Sequence, residues 1–80
     1  MIDHEKNLRK AIELSKQSID SGSSPFGCVI VDAEGKIVGE GHNRVAPDND
    51  PTAHGEVVAI RNACRNLGTF DLSGCILYTS

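Results

Sequence analysis

The apolar run at residues 26–31 (Phe-Gly-Cys-Val-Ile-Val) constrains the fold of this chain more than any other feature. Its apolar character is almost continuous rather than alternating, which is typical of a central strand that is covered on both faces. Turn-forming residues border the run, with a break containing Gly and Pro at residues 21–25 and Asp-Ala-Glu-Gly at residues 32–35. The sequence therefore predicts a sheet whose central strand is buried on both sides.

The remaining elements follow from periodicity and turn signals. The pattern predicts helices over about residues 3–21 and 54–67, and strands over about residues 26–32, 36–43 and 75–80. The order is therefore α-β-β-α-β, in which the first two strands form an antiparallel hairpin. The third strand follows a helical crossover and is expected to run parallel to one of the first two. Residues 44–51 are rich in Pro, Asp and Asn and are predicted to form a loop.

Helical spacing predicts which side chains of the two helices are buried. With Asp3 as its N-cap, the first helix is expected to bury Leu8, Ala11, Ile12, Ser15 and Ile19. The second helix is expected to bury Val57, Ile60, Ala63, Cys64 and Leu67. The three cysteines (Cys28, Cys64 and Cys75) form no Cys-x-x-Cys pair, so we interpret them as small core residues rather than as disulfide partners or zinc ligands.

Size and charge limit the classes of function. Eighty residues make at most one small domain. The net charge is −3 and the eight Lys and Arg residues are scattered, which argues against a nucleic-acid partner and favours a small uncharged substrate. No apolar run approaches the roughly 20 residues of a membrane span. The charged N-terminus lacks the apolar centre of a secretion signal, so we expect a cytoplasmic protein.

The second helix begins with an imidazole and a carboxylate two residues apart, at His54 and Glu56. A neutral imidazole can bind zinc, and a nearby carboxylate can carry a proton for a zinc-bound water. The same pattern also occurs by chance, because a Glu in the first turn of a helix is favoured by the helix dipole. Spacing alone leaves both interpretations open.

Three further segments join this motif in a family resemblance. Residues 49–61 (Asn-Asp-Pro-Thr-Ala-His-Gly-Glu-Val-Val-Ala-Ile-Arg) resemble the zinc-site helix of the cytidine deaminase-like superfamily, with the closest resemblance to bacterial guanine deaminases and tRNA adenosine deaminases. Residues 25–27 look like the entry to their first strand, residues 41–43 like their substrate-contacting Asn segment, and residues 75–80 like the strand before their cysteine motif. The resemblance implies the N-terminal α-β-β-α-β part of a three-layer α/β/α fold with a mixed sheet.

The resemblance also implies roles for five residues. His54 would be the zinc ligand of this segment, and Glu56 would be the catalytic proton shuttle. Asn43 would hydrogen-bond the base, although a strand-end Asn can also bond its own turn. Phe26 would face the base or fill the core, and Ala53 would present a backbone group to the substrate.

The chain departs from the family pattern at two places. Gly55 stands where the family usually has Ala between the His and the Glu. The Pro-Cys-x-x-Cys segment, which supplies two thiolate zinc ligands in the family, would follow Ser80 and is not among these residues. Residues 1–80 are therefore expected to be a single incomplete deaminase domain that binds zinc weakly and is inactive alone.

The implied activity is zinc-dependent hydrolytic deamination of a nucleobase, with guanine favoured over adenosine in tRNA and over cytosine. The resemblance implies one zinc ion, a small-molecule nucleobase as the substrate, no membrane partner, and a homodimer when the domain is complete. Two alternatives are a non-catalytic remnant of the fold and a half-domain that needs a partner chain.

Overall fold

A computed structural model describes residues 2–80 of the chain. It contains three helices, α1 (His4–Asp20), α2 (Val45–Asp48) and α3 (Gly55–Leu67), and three strands, β1 (Gly27–Val31), β2 (Ile37–His42) and β3 (Ile76–Thr79). The predicted order α-β-β-α-β is confirmed, with α2 as an additional short helix. Neither of the two longer helices is long and apolar enough to cross a membrane within the described residues.

The sheet has the order β2-β1-β3, with β1 in the centre. β1 pairs antiparallel with both neighbours, so β3 runs in the same direction as β2 with β1 between them. Residues 2–80 therefore contain no two adjacent strands that run parallel, as a mixed sheet would. The β1–β2 turn is closed by Asp32, whose carboxylate accepts from the backbone N–H groups of Glu34 (3.0 Å) and Lys36 (2.9 Å).

Helices cover both faces of β1, as its apolar run predicts. Every residue of β1 is buried. On one face α1 packs against Val29, Val31 and Tyr78 through Ala11 and Leu14. On the other face α3 packs against Cys28, Ile30 and Val38 through Ala59 and Ala63. Alternate residues of the central strand thus face opposite helices, and the three layers are α/β/α.

The predicted buried face of α1 is wrong in three of its five members. Asp3 caps the helix as expected, since its carboxylate accepts from the Lys6 N–H at 3.0 Å. The buried side chains are Asn7, Ala11, Leu14 and Ser18. Leu8, Ile12 and Ile19 instead lie on a neighbouring stripe and are 44%, 48% and 56% exposed. Two of the four buried residues are polar, so apolar periodicity pointed to the wrong side of the helix.

The predicted face of α3 is also partly wrong. Ala63 is buried as expected, but the other fully buried members are Gly55 and Ala59, whereas Ile60 and Leu67 are 39% and 42% exposed. Small residues are selected here because β2 approaches α3 closely. A Cβ added to Gly41 would lie 2.5 Å from the Ala59 backbone nitrogen.

The prediction that all of residues 44–51 form a loop is wrong, since α2 occupies Val45–Asp48. Pro47 is compatible with a helix in its first turn, where the backbone N–H groups have no intrahelical partner. Asn49 ends α2 in the left-handed conformation (φ 52°), which Asn tolerates better than most residues.

Candidate functional site

The predicted site residues gather at one end of the sheet, where β1 begins and β2 and β3 end. His42, the last residue of β2, pairs with Gly27. On the other side of β1, Ser80 donates its backbone N–H to the Gly27 carbonyl (3.0 Å) and accepts from the Gly27 N–H through Oγ (3.1 Å). The start of α3 lies at this same end, so the carboxyl ends of two strands and a helix N-terminus converge there.

Gly55 is the contact point between α3 and the strands. A Cβ placed on Gly55 would lie 3.2 Å from the Phe26 carbonyl oxygen and 3.6 Å from the Asn43 backbone nitrogen. Those two groups are themselves joined, because the Asn43 N–H donates to the Phe26 carbonyl at 3.0 Å. Gly55 is buried by this contact, and its neighbours His54 and Glu56 consequently flank the start of β1.

His54 and Glu56 are both exposed, one on each side of Gly55. His54 is the N-cap residue of α3 rather than its first helical residue, and its carbonyl accepts from the Val58 N–H at 2.9 Å. The imidazole makes no capping hydrogen bond. Within residues 2–80, neither the imidazole nor the Glu56 carboxylate has a hydrogen-bond or ion-pair partner. Both groups are therefore available to a ligand.

The loop before His54 is closed on itself by hydrogen bonds. The backbone N–H of Arg44 donates to the Ala53 carbonyl (2.9 Å), and that of Asp50 donates to the Val45 carbonyl (3.1 Å). The Asp50 carboxylate accepts from the hydroxyl (2.7 Å) and backbone N–H (2.9 Å) of Thr52. These hydrogen bonds lower the pKa of Asp50, with a smaller contribution from Arg61 at 3.6 Å. The approach of the chain to His54 is thus well defined.

Asn43 is buried and its side chain bonds the adjacent turn. Its Oδ1 accepts from the Val45 N–H at 3.1 Å, and its backbone carbonyl accepts from the Ser18 hydroxyl at 3.2 Å. The hydrogen bond to its own turn, which the sequence offered as the alternative to substrate binding, is therefore present. The side-chain amide nitrogen has no partner among residues 2–80, and base binding through that nitrogen stays a prediction.

Phe26 and Ala53 occupy contrasting environments at the site. Phe26 is 54% exposed, which excludes filling of the core, one of its two alternatives, and leaves the residue accessible. Ala53 is buried, its N–H donates to the Asp50 carbonyl (3.1 Å), and its carbonyl accepts from Arg44. Only the second lone pair of that carbonyl is left for a substrate, so the predicted role of Ala53 is restricted to accepting a hydrogen bond.

Cys28 connects the site to the core beneath α3. The residue is 1% exposed, and burial, with an additional contribution from the charge of Glu56, raises the pKa of its thiol to about 11. Cys28 is therefore a protonated core residue near neutral pH, as its strand position predicts. The charge of Glu56, at the start of α3, is the smaller cause of this raised pKa.

Ser18 is a residue of the site region that the sequence interpretation missed. Its buried hydroxyl donates to the carbonyls of Ser24 (2.5 Å) and Asn43 (3.2 Å), and so ties α1 to the segments before β1 and after β2. A Ser in an amphipathic helix is ordinarily taken for a solvent-facing residue. No signal in the sequence separates Ser18 from the exposed serines around it.

The described residues do not form a complete zinc site. Within residues 2–80, no group of three or more His, Cys, Asp or Glu side chains is arranged to hold a metal ion. The imidazole of His54 is the single matched ligand, and the three cysteines lie in or beside the core rather than at the start of α3. Catalytic zinc in proteins ordinarily has three protein ligands.

Helices on both faces of the sheet, with an imidazole and a carboxylate at the start of α3, define the N-terminal part of a cytidine deaminase-like α/β domain. The family model for the cytidine and deoxycytidylate deaminase zinc-binding region matches residues 1–80. The chain therefore belongs to this family.

Its relatives include two kinds of deaminase. The chain is 50% identical over 80 residues to the guanine deaminase of Bacillus subtilis (strain 168), a match that covers 99% of this chain and 51% of the relative. It is 44% identical over 73 residues to the tRNA-specific adenosine deaminase of Aquifex aeolicus (strain VF5), covering 91% and 48% of the two chains. The X-ray structure of the Bacillus subtilis guanine deaminase matches with a TM-score of 0.92 over 99% of this chain and 50% of that one. The chain thus spans about half the length of these relatives.

Proposed function

We propose that residues 1–80 are the half of a zinc-dependent nucleobase deaminase that carries the proton-shuttling carboxylate. The observation that carries the proposal is the pair of exposed, unpartnered groups at the start of α3, His54 and Glu56. Both side chains are free to contact a ligand at the end of the sheet where the other proposed site residues gather. Membership of the zinc-binding deaminase family supports the same conclusion.

His54 is proposed as one of three zinc ligands, with the other two outside residues 1–80. In enzymes of this kind, zinc supplies a hydroxide near neutral pH. His54 is suited to the position because the N-cap geometry holds its backbone while the imidazole stays unbonded. A single imidazole does not make a metal site, so the isolated chain is proposed to bind zinc weakly.

Glu56 is proposed as the general acid and base. Its carboxylate would accept a proton from the attacking water, deliver it to a ring nitrogen of the base, and assist the departure of ammonia. The first turn of α3 fixes Glu56 relative to β1, and the buried Gly55 contact holds that turn against the strands. The carboxylate is therefore positioned by rigid elements rather than by a loop.

Guanine is the proposed substrate, in keeping with the 50% identity to a guanine deaminase. The amide nitrogen of Asn43 is proposed to donate to an acceptor on the base, the Phe26 ring to stack on or flank it, and the Ala53 carbonyl to accept from it. Adenosine in tRNA is the second candidate, because a tRNA-specific adenosine deaminase is 44% identical. Cytosine is the third. The net charge of −3 favours a free base over tRNA.

The complete protein is proposed to be a cytoplasmic homodimer of purine metabolism. The homodimer and the metabolic role are expectations from the family resemblance, and the location is an expectation from the charged N-terminus. A non-catalytic remnant is the alternative to an active half-domain, and it predicts that supplying the other half restores neither zinc binding nor turnover.

The test joins Ser80 to the half of the Bacillus subtilis guanine deaminase that lies outside the match. Ammonia release from guanine, adenosine, cytosine and a tRNA anticodon stem-loop is then measured with zinc present. We expect turnover of guanine, and a loss of at least about 100-fold for Glu56→Gln, because general acid–base catalysis contributes about 10²–10⁴-fold.

The matched control is Glu13→Gln, which makes the same change on the exposed face of α1. It is expected to leave turnover unchanged. Turnover that survives Glu56→Gln would contradict the role of Glu56, and turnover of adenosine in the stem-loop without turnover of guanine would replace the proposed substrate.

A further inference from the structure

Hydrogen bonds form a closed ring behind the proposed base-binding residues. The Ser18 hydroxyl of α1 donates to the carbonyls of Ser24 (2.5 Å) and Asn43 (3.2 Å). The Ser24 carbonyl also accepts from the Phe26 N–H (2.8 Å), and the Phe26 carbonyl accepts from the Asn43 N–H (3.0 Å). The ring therefore joins α1 to the segment before β1 and to the segment after β2.

Ser18 enters this ring through its side chain, whereas the other members enter it through backbone groups. One hydroxyl carries one proton, so the two carbonyls share it, and the shorter bond to Ser24 is the stronger. Ser18 is 0% exposed and lies on α1, which covers the face of the sheet opposite α3. Its hydroxyl therefore has no surface for a base to contact and lies away from the helix that carries His54 and Glu56.

The bonds of Asn43 leave one of its polar groups for a ligand. Its N–H and carbonyl belong to the ring, and its Oδ1 accepts from the Val45 N–H at 3.1 Å. Within residues 2–80, the side-chain amide nitrogen has no partner. Because Val45 fixes Oδ1, the direction of that nitrogen is set by the position of the Asn43 backbone. The orientation of the proposed donor to the base therefore depends on the ring.

Both carbonyls that Ser18 bonds have a second donor. The Ser24 carbonyl keeps the Phe26 N–H, and Nδ1 of His42 lies 3.2 Å from the Asn43 carbonyl. Loss of the Ser18 hydroxyl therefore leaves neither carbonyl unbonded, and the fold is expected to survive it. What the hydroxyl adds is a fixed position of one segment relative to the other.

We propose that Ser18 is a positioning residue for base binding: its hydroxyl fixes Asn43 and Phe26 relative to each other and so sets the affinity of the site for a planar base. The roles of Asn43 and Phe26 toward the base rest on the proposed function. A site binds its ligand more tightly when the residues behind it hold the contacting groups in the bound geometry. The proposed zinc ligand and proton shuttle lie outside the ring, so the chemical step is expected to be independent of Ser18.

The first test follows amide hydrogen exchange by NMR in the ¹⁵N-labelled chain, and it needs no substrate. Ser18→Ala is expected to speed exchange of the Phe26 and Asn43 amides by at least about tenfold and to leave the Val29 amide, in the centre of β1, unchanged. Ser15→Ala is the matched control, because the Ser15 hydroxyl bonds a carbonyl of its own helix at 2.6 Å. Unchanged exchange at Asn43 in Ser18→Ala would overturn the inference, and so would equal acceleration at Val29, which would indicate a general loss of stability.

The second test measures guanine deamination by the chain joined after Ser80 to the other half of the Bacillus subtilis guanine deaminase. Ser18→Ala is expected to raise KM for guanine by about tenfold, because a misdirected amide weakens its hydrogen bond to the base. The value of kcat should stay within about twofold, and Ser15→Ala should change neither constant. A loss of folded protein would lower kcat and leave KM unchanged, so that pattern would contradict a positioning role.

Equilibrium binding separates this inference from the proposed function. If the joined protein deaminates no base, the Kd for guanine replaces KM as the readout. A Kd that Ser18→Ala raises by about tenfold supports the positioning role, while the proposed catalysis fails. A Kd that the substitution leaves unchanged, or no binding of guanine at all, overturns the inference.

Discussion

The site region contains two kinds of residue that differ in exposure and in bonding. Gly41, Asn43, Ala53 and Gly55 are buried, and they bond to or pack against neighbouring backbone. His54 and Glu56 are exposed, and their side chains have no hydrogen-bond partner among residues 2–80. The buried group builds the end of the sheet, whereas the exposed pair is the one proposed to carry the chemistry. Substitutions in the two groups should therefore affect different measurements.

The largest effect on stability is expected from Gly41→Ala. Its Cβ would lie 2.5 Å from the Ala59 nitrogen and 2.9 Å from the Gly55 carbonyl oxygen, and neither backbone atom can move without shifting α3 away from β2. We expect a loss of about 3 kcal/mol or more in the free energy of unfolding, at the upper end for overpacking. Urea unfolding monitored by circular dichroism measures it. A loss below about 1 kcal/mol would show that α3 is not held closely on β2.

Asn43→Ala is expected to have the next largest effect. The substitution removes the acceptor for the Val45 N–H and leaves that donor unpaired at the start of α2. The expected loss is about 1–3 kcal/mol in the free energy of unfolding. Asn43→Asp keeps the accepting oxygen and is the control. Equal losses in the two variants would show that the Asn43–Val45 bond does not stabilise the fold.

Gly55→Ala tests the one position where the chain departs from the usual family motif. The Cβ would lie 3.2 Å from the Phe26 carbonyl oxygen, a tight contact that a small shift relieves. The helix gains about 0.5–1 kcal/mol from Ala over Gly, so the net change in unfolding free energy should stay within about 1 kcal/mol. The same substitution is therefore expected to be tolerated here and disruptive at Gly41. Similar losses of stability from Gly41→Ala and Gly55→Ala would contradict the expected difference between the two positions.

The smallest effect near neutral pH is expected from Glu56→Gln, which should change the free energy of unfolding by no more than about 0.5 kcal/mol. The effect of this substitution on stability appears at alkaline pH. The folded pKa of Cys28 is about 11 against an ordinary 9.0, so the unfolded chain loses the thiol proton first and stability falls as the pH rises from 9 to 11. Removing the charge of Glu56 lowers the folded pKa of Cys28, so the loss of stability at alkaline pH becomes smaller.

Urea unfolding at pH 7, 9 and 10.5 measures this difference, with Cys28→Ala as the variant that lacks the thiol. Introduced alone, Glu56→Gln should reduce the alkaline loss. Introduced into Cys28→Ala, it should make no difference to that loss. An identical pH dependence in wild type and Glu56→Gln would place Glu56 away from β1.

The sequence predicts the fold better than it predicts which residues face the core. The apolar run of β1 and the turn at Asp32 lead to the correct order of elements, because those signals are local. The buried side of α1 depends on the assembled fold, which buries Asn7 and Ser18 and leaves Ile12 exposed. Apolar spacing cannot reveal such a preference. The short helix α2 was hidden for a similar reason, since Pro and Asp occur both in loops and in first turns.

In the candidate site, too, the sequence indicates some features and not others. The family resemblance points to His54 and Glu56, which spacing alone left open, because their proposed chemistry depends on residue type. The bond from Val45 to Asn43 and the burial of Ala53 depend on how the loop before α3 closes on itself. Those contacts arise from the assembled structure, and a single sequence does not encode them in a recognisable pattern.

The central claim is that residues 1–80 carry one part of a zinc site whose remaining ligands lie elsewhere, and zinc retention tests it most directly. The chain alone, the chain joined after Ser80 to the other half of the Bacillus subtilis guanine deaminase, and the His54→Ala form of the joined protein are loaded with zinc. Each is passed through gel filtration, and the bound metal is measured. We predict about one zinc per molecule in the joined protein, and little in the chain alone or in the His54→Ala form. Stoichiometric zinc on the isolated chain, or full retention after His54→Ala, would contradict the account.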